Sequence, residues 1–399
     1  MLSKIQIKNY KSINECSIDL GQFNVFIGEN GSGKSNILEA IAMLSVAKFN
    51  NEITTEDLYN KGVRVANPKL TFSSFKGKKQ DNKILIDFVT KEDNLLISSR
   101  IINNNPDNIY SYWIDDFNNF YKQEIYDLTV NNKYKADIIL NNIKERVKYN
   151  EIDSFLKNLS DKLQFENFPQ VMNFEDLKDF IIYNLETKIL RGILKESNKQ
   201  PLGINGEGLD ILISTFDKEE IQKLLKYSYF ISWLENFVID EKDILKFDGH
   251  KLGKSTSLIY FRDKFMNKRN NIFSAENANE GVLHILFYLA LFISKRTPKF
   301  FAIDNIEKSL NPKLCRTLIK ELVSISKQNN KQALITTHNP AILDGLNLYD
   351  DEQRLFIVSR TDEGYTKVER IKIKPENKDN LKLSEMWMRG YLGGVPNNF

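Results

Sequence analysis

Cysteine and histidine are scarce in this sequence. Its 399 residues include two cysteines, Cys16 and Cys315, and three histidines. Two cysteines so far apart are too few for a disulfide framework, and this scarcity indicates a reducing compartment. The low number of histidines also disfavours a metal site built from several of them. We therefore expect a cytoplasmic protein.

Long apolar runs and an excess of one charge are missing as well. No apolar run has the length that crosses a bilayer, and the first residues alternate like a strand and lack the apolar core of a signal peptide. We therefore expect no contact with a membrane. The formal net charge is +3, so electrostatics alone do not argue for a nucleic-acid partner. The length is sufficient for a large core and about two or three lobes.

The sequence does contain a glycine-rich loop, residues 28–35, which reads GENGSGKS. It fits the phosphate-binding pattern G-x-x-x-x-G-K-[ST], known as Walker A. An apolar run typical of a buried strand, residues 23–27, precedes the loop, and a helix-forming run, residues 36–44, follows it. In this context successive backbone N–H groups and a helix N-terminus bind phosphate. The loop therefore predicts a site for a nucleotide such as ATP.

The residues of this loop have different expected roles. Lys34 is expected to reach the β- and γ-phosphates, and the Ser35 hydroxyl is expected to bind Mg²⁺. The other residues of this segment that we predict to contact the nucleotide are Asn30, Gly31, Ser32, Gly33 and Asn36.

Two later strand ends carry polar residues at the same predicted edge of a sheet. Asp304 follows the apolar run 299–303 and is the expected carboxylate ligand of Mg²⁺, because open α/β sheets place ligand groups at the carboxyl ends of strands. Glu307 is a candidate to orient or deprotonate the attacking water, although a solvated loop charge is the alternative. His338 follows the run 332–337 and is a candidate donor to the γ-phosphate, with a structural histidine as the alternative.

The hydrophobic patterns divide the chain into three parts. Residues 1–103 alternate like strands. The spacing and turn residues of three expected strands, 70–75, 84–89 and 95–102, favour an antiparallel sheet. Residues 104–255 have apolar positions at helical spacing without a lasting heptad repeat, which indicates a compact, mainly helical insertion. Residues 256–399 return to an α/β pattern. The expected strands are 70–75, 84–89, 95–102, 257–261, 299–303, 332–337, 354–358 and 366–373, and the expected helices of the last part are 281–294 and 312–326.

The order GENGSGKS, helical stretch, AIDNIEKSLNP and ITTHNP resembles the ATPase heads of the ABC-ATPase clan. RecF, SMC heads and the OLD-family ATPases belong to that clan, and the nearest likeness is to AAA-labelled, OLD/RecF-like ATPases of bacterial antiphage systems. The resemblance implies an α/β fold, namely an ABC-type P-loop ATPase head with an antiparallel β subdomain and a helical insertion. It makes 1–103 an N-terminal lobe with Walker A, and 256–399 a C-terminal lobe with the signature motif, Walker B and the His-loop.

The resemblance implies further site residues. The signature motif, a Ser/Gly pair at a helix start that binds the γ-phosphate across a dimer, corresponds here to Asn279 and Gly281, with asparagine in place of the usual serine. Asparagine is also well suited to an ordinary helix N-cap, which is the alternative. Lys11, with Asn9 and Ser12, lies where the family's N-terminal strand approaches the nucleotide. The family's Q-loop has no clear counterpart in the sequence.

One position departs from the family pattern. The family has glutamate directly after the Walker B aspartate, whereas this chain has Asn305. An amide can orient water but cannot accept its proton. Either Glu307 takes that role, or hydrolysis is slow and the protein behaves as a switch held by ATP.

These observations lead to three functional hypotheses. The favoured one is an ATPase that forms a homodimer or larger homo-oligomer around ATP and acts as the sensor or regulatory subunit of a separate effector in antiphage defence. That effector is expected to be a nuclease. OLD-family proteins carry a nuclease domain with a set of acidic residues, and this set is not evident in the chain, so the damaging activity is expected in another polypeptide. The second is a RecF-like repair ATPase that binds DNA directly. Residues 261–269 mix basic and aromatic side chains and could contact nucleic acid, although a solvated turn is favoured. The third is an ATP-locked scaffold with little turnover.

Overall fold

The computed structural model describes residues 1–65, 67–90, 96–116, 175–194, 201–372 and 381–393. The expected helical pattern of residues 117–174 lies outside this described part of the chain.

The strands and helices that follow are numbered in chain order. The described strands are β1 (Leu2–Tyr10), β2 (Ile13–Asp19), β3 (Phe23–Gly28), β4 (Lys83–Thr90), β5 (Leu96–Asn103), β6 (Trp113–Asp115), β7 (Ile182–Tyr183), β8 (Leu234–Ile239), β9 (Ile259–Asp263), β10 (Ile272–Ser274), β11 (Phe300–Ile303), β12 (Gln332–Thr337), β13 (Gln353–Arg360) and β14 (Thr366–Ile371). The described α-helices are α1 (Lys34–Phe49), α2 (Thr55–Asn60), α3 (Glu175–Lys178), α4 (Thr187–Leu190), α5 (Leu209–Ser214), α6 (Lys218–Lys226), α7 (Glu280–Ile293), α8 (Pro312–Gln328) and α9 (Leu383–Met388).

The N-terminal part forms an antiparallel sheet with the strand order β2-β1-β4-β5-β6. The alternating pattern of β1 buries Ile5 and Ile7 on one face, as a two-residue period requires. Strands β1 and β2 form a hairpin, with Ile5 opposite Ile18. Of the three strands predicted to form an antiparallel sheet, those at 84–89 and 95–102 do so as β4 and β5.

The strand predicted at residues 70–75 is wrong. Pro68–Thr71 form a 3-10 turn, and Phe72 makes an isolated bridge with Tyr10. Proline has no N–H for a sheet, and the Asn67 side chain accepts a hydrogen bond from the backbone N–H of Lys69, which stabilises a turn. The apolar residues of this segment therefore reflect the burial of Phe72 rather than an alternating strand.

The central sheet has six strands in the order β14-β13-β3-β12-β11-β7. All neighbours are parallel except β13 and β14, which form an antiparallel hairpin. Strand β3 is buried along its whole length, as expected for a parallel strand covered on both faces. Because β3, β11, β12 and β7 run in the same direction, their carboxyl ends meet at one edge of the sheet.

Helices cover both faces of the central sheet. Helix α1 and the antiparallel sheet share one hydrophobic core with residues such as Phe26 and Leu334. Helices α7 and α8 share the other core with the opposite face of the same strands, including Val25 and Ile335. The predicted fold class, an α/β P-loop head with an antiparallel β subdomain, is confirmed by this layered arrangement.

The region predicted as the insertion contributes strands as well as helices. Strand β6 extends the antiparallel sheet, β7 is the edge of the central sheet, and β8 forms a three-stranded sheet with β9 and β10. The three-part division of the chain stays a prediction. A turn with positive φ at Gly206 and Gly208 leads into α5.

The end of the described chain packs on the rest of the molecule. Leu383, Met386 and Leu392 are buried in the core that contains α7 and α8. Residues 394–399 lie outside the described part. Among the described helices, none has both the length and the apolar character needed to cross a membrane.

Candidate nucleotide site

The loop between β3 and α1 presents unpaired backbone donors. Within the described part of the chain, the N–H groups of Gly31, Gly33, Lys34 and Ser35 donate to no protein acceptor. Gly31 and Gly33 have φ values of 77° and 109°, which side chains disfavour and glycine accepts. These donors surround the N-terminus of a 16-residue helix. Such a concentration of unpaired N–H groups fits an anionic ligand.

Lys34 lies buried inside this loop. Its Nζ donates to the carbonyl oxygens of Gly28 at 2.9 Å and Glu29 at 2.8 Å. Burial lowers the pKa of Lys34 to about 8, although the carboxylates of Asp304 and Glu307 act in the opposite direction. The ammonium is thus held at the loop by carbonyl oxygens that a phosphate could replace.

Asp304 lies beside the first turn of α1, as predicted. The Ser35 hydroxyl donates to both of its carboxylate oxygens, at 3.1 and 3.0 Å. The Thr336 hydroxyl, at the end of β12, also donates to Asp304 Oδ1. A hydroxyl and a carboxylate side by side are hard oxygen ligands, and Mg²⁺ in phosphate sites binds to one or two such groups while keeping waters. These residues therefore fit a magnesium ion.

Glu307 contacts the segment that carries His338. Its Oε1 accepts a hydrogen bond of 2.7 Å from the backbone N–H of His338. Its Oε2 is buried and has no partner among the described residues. A buried carboxylate oxygen without a hydrogen-bond donor costs folding free energy unless a ligand or a water donates to it. Glu307 is thus not the solvated loop charge that was its alternative interpretation.

Asn305 has a left-handed backbone conformation with φ of 58°. Its N–H donates to the Thr336 hydroxyl at 3.0 Å. Asparagine tolerates this conformation better than most residues. The residue that replaces the family's usual glutamate therefore also suits a tight turn after β11.

His338 lies close to the Walker A lysine. Its Nδ1 is 3.4 Å from Lys34 Nζ. Burial and the nearby Lys34 charge lower the pKa of His338 from its ordinary value, so the ring is neutral at neutral pH and one ring nitrogen carries a hydrogen. The structure therefore brings together Lys34, Ser35, Asp304, Glu307 and His338, from three separate parts of the sequence.

Asn279 and Gly281 are not at this loop within one chain. The Asn279 side chain accepts a hydrogen bond of 2.9 Å from the Gly281 N–H and caps α7. Gly281 packs so closely on Ser309 that an added Cβ would be 3.0 Å from the Ser309 carbonyl oxygen. No described hydrogen bond joins these residues to the loop. Their contact with a nucleotide across a dimer stays a prediction.

Lys11 contacts a buried carboxylate instead of the loop itself. Lys11 and Arg64 both pair with Glu39 of α1, with distances of 2.5 Å to Lys11 Nζ and 2.6 Å to Arg64 Nε. Arg64 Nη2 also donates to the Asn36 side chain at 3.2 Å. Lys11, Arg64 and Asn36, together with Phe75, line a cavity of about 520 Å³ beside the start of α1. Lys11 thus faces a space adjoining the phosphate loop.

A family comparison matches residues 23–344 to a family described as "AAA domain, putative AbiEii toxin, Type IV TA system". The match includes the loop, Asp304 and His338. The chain belongs to this family.

Other relatives of this AAA family member are more distant. Over 64 residues the chain is 36% identical to the DNA replication and repair protein RecF of Phocaeicola vulgatus, and over 62 residues it is 40% identical to RecF of Vibrio campbellii. The first match covers 16% of this chain and 17% of RecF, and the second covers 15% and 17%. The chain thus spans less than a fifth of these relatives' length.

The fold of this family member is also found in SMC proteins. An SMC head bound to the C-winged helix domain of ScpA superposes with a TM-score of 0.52 at 15% identity, covering 93% of this chain and 98% of that one. Identity at this level shows the fold alone. The fold is thus that of an ABC-type ATPase head.

The sequence did not reveal that β7 ends beside Asp304. Tyr183, the last residue of β7, accepts through its carbonyl oxygen a hydrogen bond of 2.8 Å from the Asp304 N–H. Asn184 and Glu186 follow at the same edge of the sheet and are exposed. The signal was a short apolar run, residues 180–183, followed by polar residues, but it lies among apolar positions with helical spacing.

Proposed function

We propose that this chain binds ATP with Mg²⁺ at the loop after β3 and hydrolyses it. The observation that carries the proposal is the group of unpaired N–H donors at Gly31, Gly33, Lys34 and Ser35. These donors and Lys34 would bind the β- and γ-phosphates. Asn30 and Ser32 in the loop, and Asn36 in the first turn of α1, would make the remaining contacts to the nucleotide. The nucleoside would occupy the adjoining cavity, next to Lys11.

The metal would be held by Ser35 and Asp304, with Asn184 as a further candidate at the same sheet edge. When bound, the metal would neutralise charge on the β- and γ-phosphate oxygens. Ser35 and Asp304 already lie within hydrogen-bond distance of each other. Binding therefore requires little rearrangement of these two side chains.

Glu307 is the residue that we propose to act on the attacking water. Its Oε2 lacks a protein partner among the described residues, and it can accept a hydrogen bond or a proton. The His338 backbone N–H fixes the carboxylate through its other oxygen. Asn305 would orient the water without taking its proton, and the neutral His338 ring would donate to the γ-phosphate.

Two chains would complete the site. The Asn279 side chain caps α7 by accepting a hydrogen bond from the Gly281 N–H, and a second copy would bring these two residues to the γ-phosphate of the first. The exposed Asn279 side chain would then replace its Gly281 contact by one to phosphate. The assembly would be a homodimer, or a larger homo-oligomer built from such pairs.

At the level of biology, we propose that ATP occupancy controls a separate effector, expected to be a nuclease, in antiphage defence. The family description, which names a type IV TA system, supports a role in a system with a partner. Asn305 in place of glutamate supports slow turnover, which suits a sensor better than a motor. The slow hydrolysis of ATP would then determine how long the chain keeps its effector in one state.

Measurements of ATP turnover and of particle mass by light scattering test this proposal. We expect ATP-dependent dimers with slow turnover, a Lys34→Ala variant that stays monomeric, and a Glu307→Gln variant that dimerises but hydrolyses at least about 100-fold more slowly. An Asn305→Ala variant, the control for Glu307, should lose less. Equal turnover in wild type and Glu307→Gln would refute the role of Glu307. A wild type that assembles with ATP but does not hydrolyse it would favour an ATP-locked scaffold.

One observation favours direct DNA binding as a second function. The turn after β9 exposes Lys264, Phe265, Lys268 and Arg269, and no ion pair joins these cations to other described residues. Cations beside an exposed aromatic ring are typical of nucleic-acid contacts. Turnover that rises when double-stranded DNA is added, and that no longer rises in a Lys268→Glu/Arg269→Glu variant, would support this repair-type function. Turnover indifferent to DNA would support the regulatory function.

A further inference from the structure

The β13–β14 hairpin contacts the outer side of the phosphate loop. Arg360, the last residue of β13, donates from Nε to the Gly31 carbonyl oxygen at 2.8 Å. Thr366, the first residue of β14, donates from its hydroxyl to the Ser32 carbonyl oxygen at 2.9 Å. Two successive carbonyl groups of the loop are therefore bound from outside by residues that follow the loop by more than 300 positions.

Thr366 belongs to a directed chain of hydrogen bonds. The Asn36 side chain donates to the Ser12 hydroxyl at 2.7 Å, and the Ser12 and Thr366 hydroxyls are 2.6 Å apart. Because Thr366 gives its hydrogen to Ser32, it accepts from Ser12, which in turn accepts from Asn36. The backbone N–H of Thr366 also donates to the Ser12 carbonyl oxygen at 2.9 Å. The first turn of α1, the β1–β2 turn and the hairpin are thus linked to one loop carbonyl.

The hairpin also fits closely against two loop glycines. A Cβ added to Gly28 would lie 1.9 Å from the Val358 carbonyl oxygen, and one added to Gly33 would lie 2.1 Å from the Thr366 hydroxyl oxygen. The contact therefore needs glycine on the loop side. It leaves no room for the loop to move toward the hairpin.

These bonds determine which way the loop's N–H groups point. In a trans peptide the carbonyl and the following N–H point in opposite directions. A Ser32 carbonyl fixed outward therefore fixes the Gly33 N–H inward, and that N–H is one of the unpaired donors. Donors that are oriented before the ligand arrives reduce the ordering cost of binding.

We infer that Thr366 and Arg360 are positioning residues that hold the phosphate loop in its binding conformation. The inference rests on the proposed ATP site and extends it to a hairpin without any phosphate-binding motif. Arg360 also stabilises the hairpin turn, because its Nη1 donates to the Gly364 carbonyl oxygen. A substitution of Arg360 would therefore affect both the loop and the hairpin. Thr366 is therefore the better residue to test.

The test compares Thr366→Val with Thr366→Ser by equilibrium ATP binding and by thermal unfolding. Valine keeps the shape and removes the hydroxyl, so ATP affinity should fall about five- to tenfold, as expected for one lost hydrogen bond. Serine keeps the hydroxyl and should restore affinity to within about twofold of wild type. Lys367→Ala, an exposed neighbour on β14, is the matched control and should leave affinity unchanged.

Equal ATP affinity in Thr366→Val and wild type would overturn the inference while leaving the ATP site intact. Failure of wild type itself to bind ATP would refute the proposed function instead. If Thr366→Val also unfolds at lower temperature, Arg360→Lys is measured with inorganic pyrophosphate in place of ATP, because Arg360 also lines the cavity given to the nucleoside. Lysine keeps the charge but cannot donate to both Gly31 and Gly364 in the same way. The affinity of this variant for pyrophosphate should fall severalfold at unchanged melting temperature, and unchanged affinity would again overturn the inference.

Discussion

The depressed pKa of Lys34 predicts a pH dependence of ATP binding. Burial lowers this pKa to about 8 in the ligand-free chain. A bound phosphate favours the ammonium form and raises the pKa, so binding above pH 8 requires proton uptake and affinity falls as pH rises. With a pKa of about 8, the protonated fraction falls from about nine-tenths at pH 7 to about one-tenth at pH 9. ATP affinity should therefore fall about tenfold between these two values.

The His338 ring and the terminal phosphate of ATP do not titrate between pH 7 and 9. The pKa of His338 is lowered from its ordinary value, so its ring stays neutral from pH 7 to 9. A terminal phosphate has a second pKa near about 6 and has already lost that proton at pH 7. Neither of these two groups therefore contributes to the predicted slope.

Calorimetric or fluorescence titration of ATP at several pH values measures this effect at constant ionic strength. Lys34→Arg is the control, because arginine stays charged throughout the window. Its affinity is expected to be lower than that of wild type but nearly independent of pH. A flat wild-type profile, or the same slope in Lys34→Arg, would refute the assignment of the slope to a partly neutral Lys34.

Three further substitutions have expected outcomes. Asp304→Asn removes the carboxylate beside Ser35, so steady-state turnover in Mg²⁺ should fall about 100-fold or more, whereas ATP binding in EDTA should change little; equal turnover would contradict the metal role. Gly33→Ala combines positive φ with a Cβ only 2.1 Å from the Thr366 hydroxyl oxygen and should lower the free energy of unfolding by more than Gly31→Ala, which has positive φ but no close neighbour; equal losses in denaturant titrations would argue against this steric clash. Glu39→Ala removes the buried carboxylate that accepts from Lys11 and Arg64 and should cost about 1.5–3 kcal/mol of stability, whereas Glu15→Ala, in an exposed pair, should have no measurable effect in the same titration.

The strand, glycine loop and helix of the candidate site were predictable because their signals are local. A strand, a glycine loop and a helix start are consecutive in the sequence, and each has its own composition. Asp304 and His338 were predictable for a related reason, since each directly follows a continuous apolar run and parallel strands bring their carboxyl ends to one edge. The structure places these residues within contact of the loop, as the pattern indicated.

The surroundings of the site were not predictable because they depend on distant pairing. Arg360 and Thr366 contact the loop across more than 300 residues of chain, and no motif marks them. Strand β7 has two residues and lies among helical patterns. The segment after Asn67 has apolar residues typical of a strand, but Pro68 and a side-chain cap produce a turn. Local composition does not resolve such competition between a turn and a short strand.

The most direct test of the account is equilibrium binding of ATP to the purified chain, measured with and without Mg²⁺ for wild type and Lys34→Ala. We predict saturable binding by wild type that Mg²⁺ strengthens. In Lys34→Ala the ATP affinity should fall at least about 100-fold, because a buried charge that contacts phosphate is removed, and the melting temperature should not change. Wild type that does not bind ATP, or Lys34→Ala that binds it equally well, would contradict the assignment of this loop as the nucleotide site.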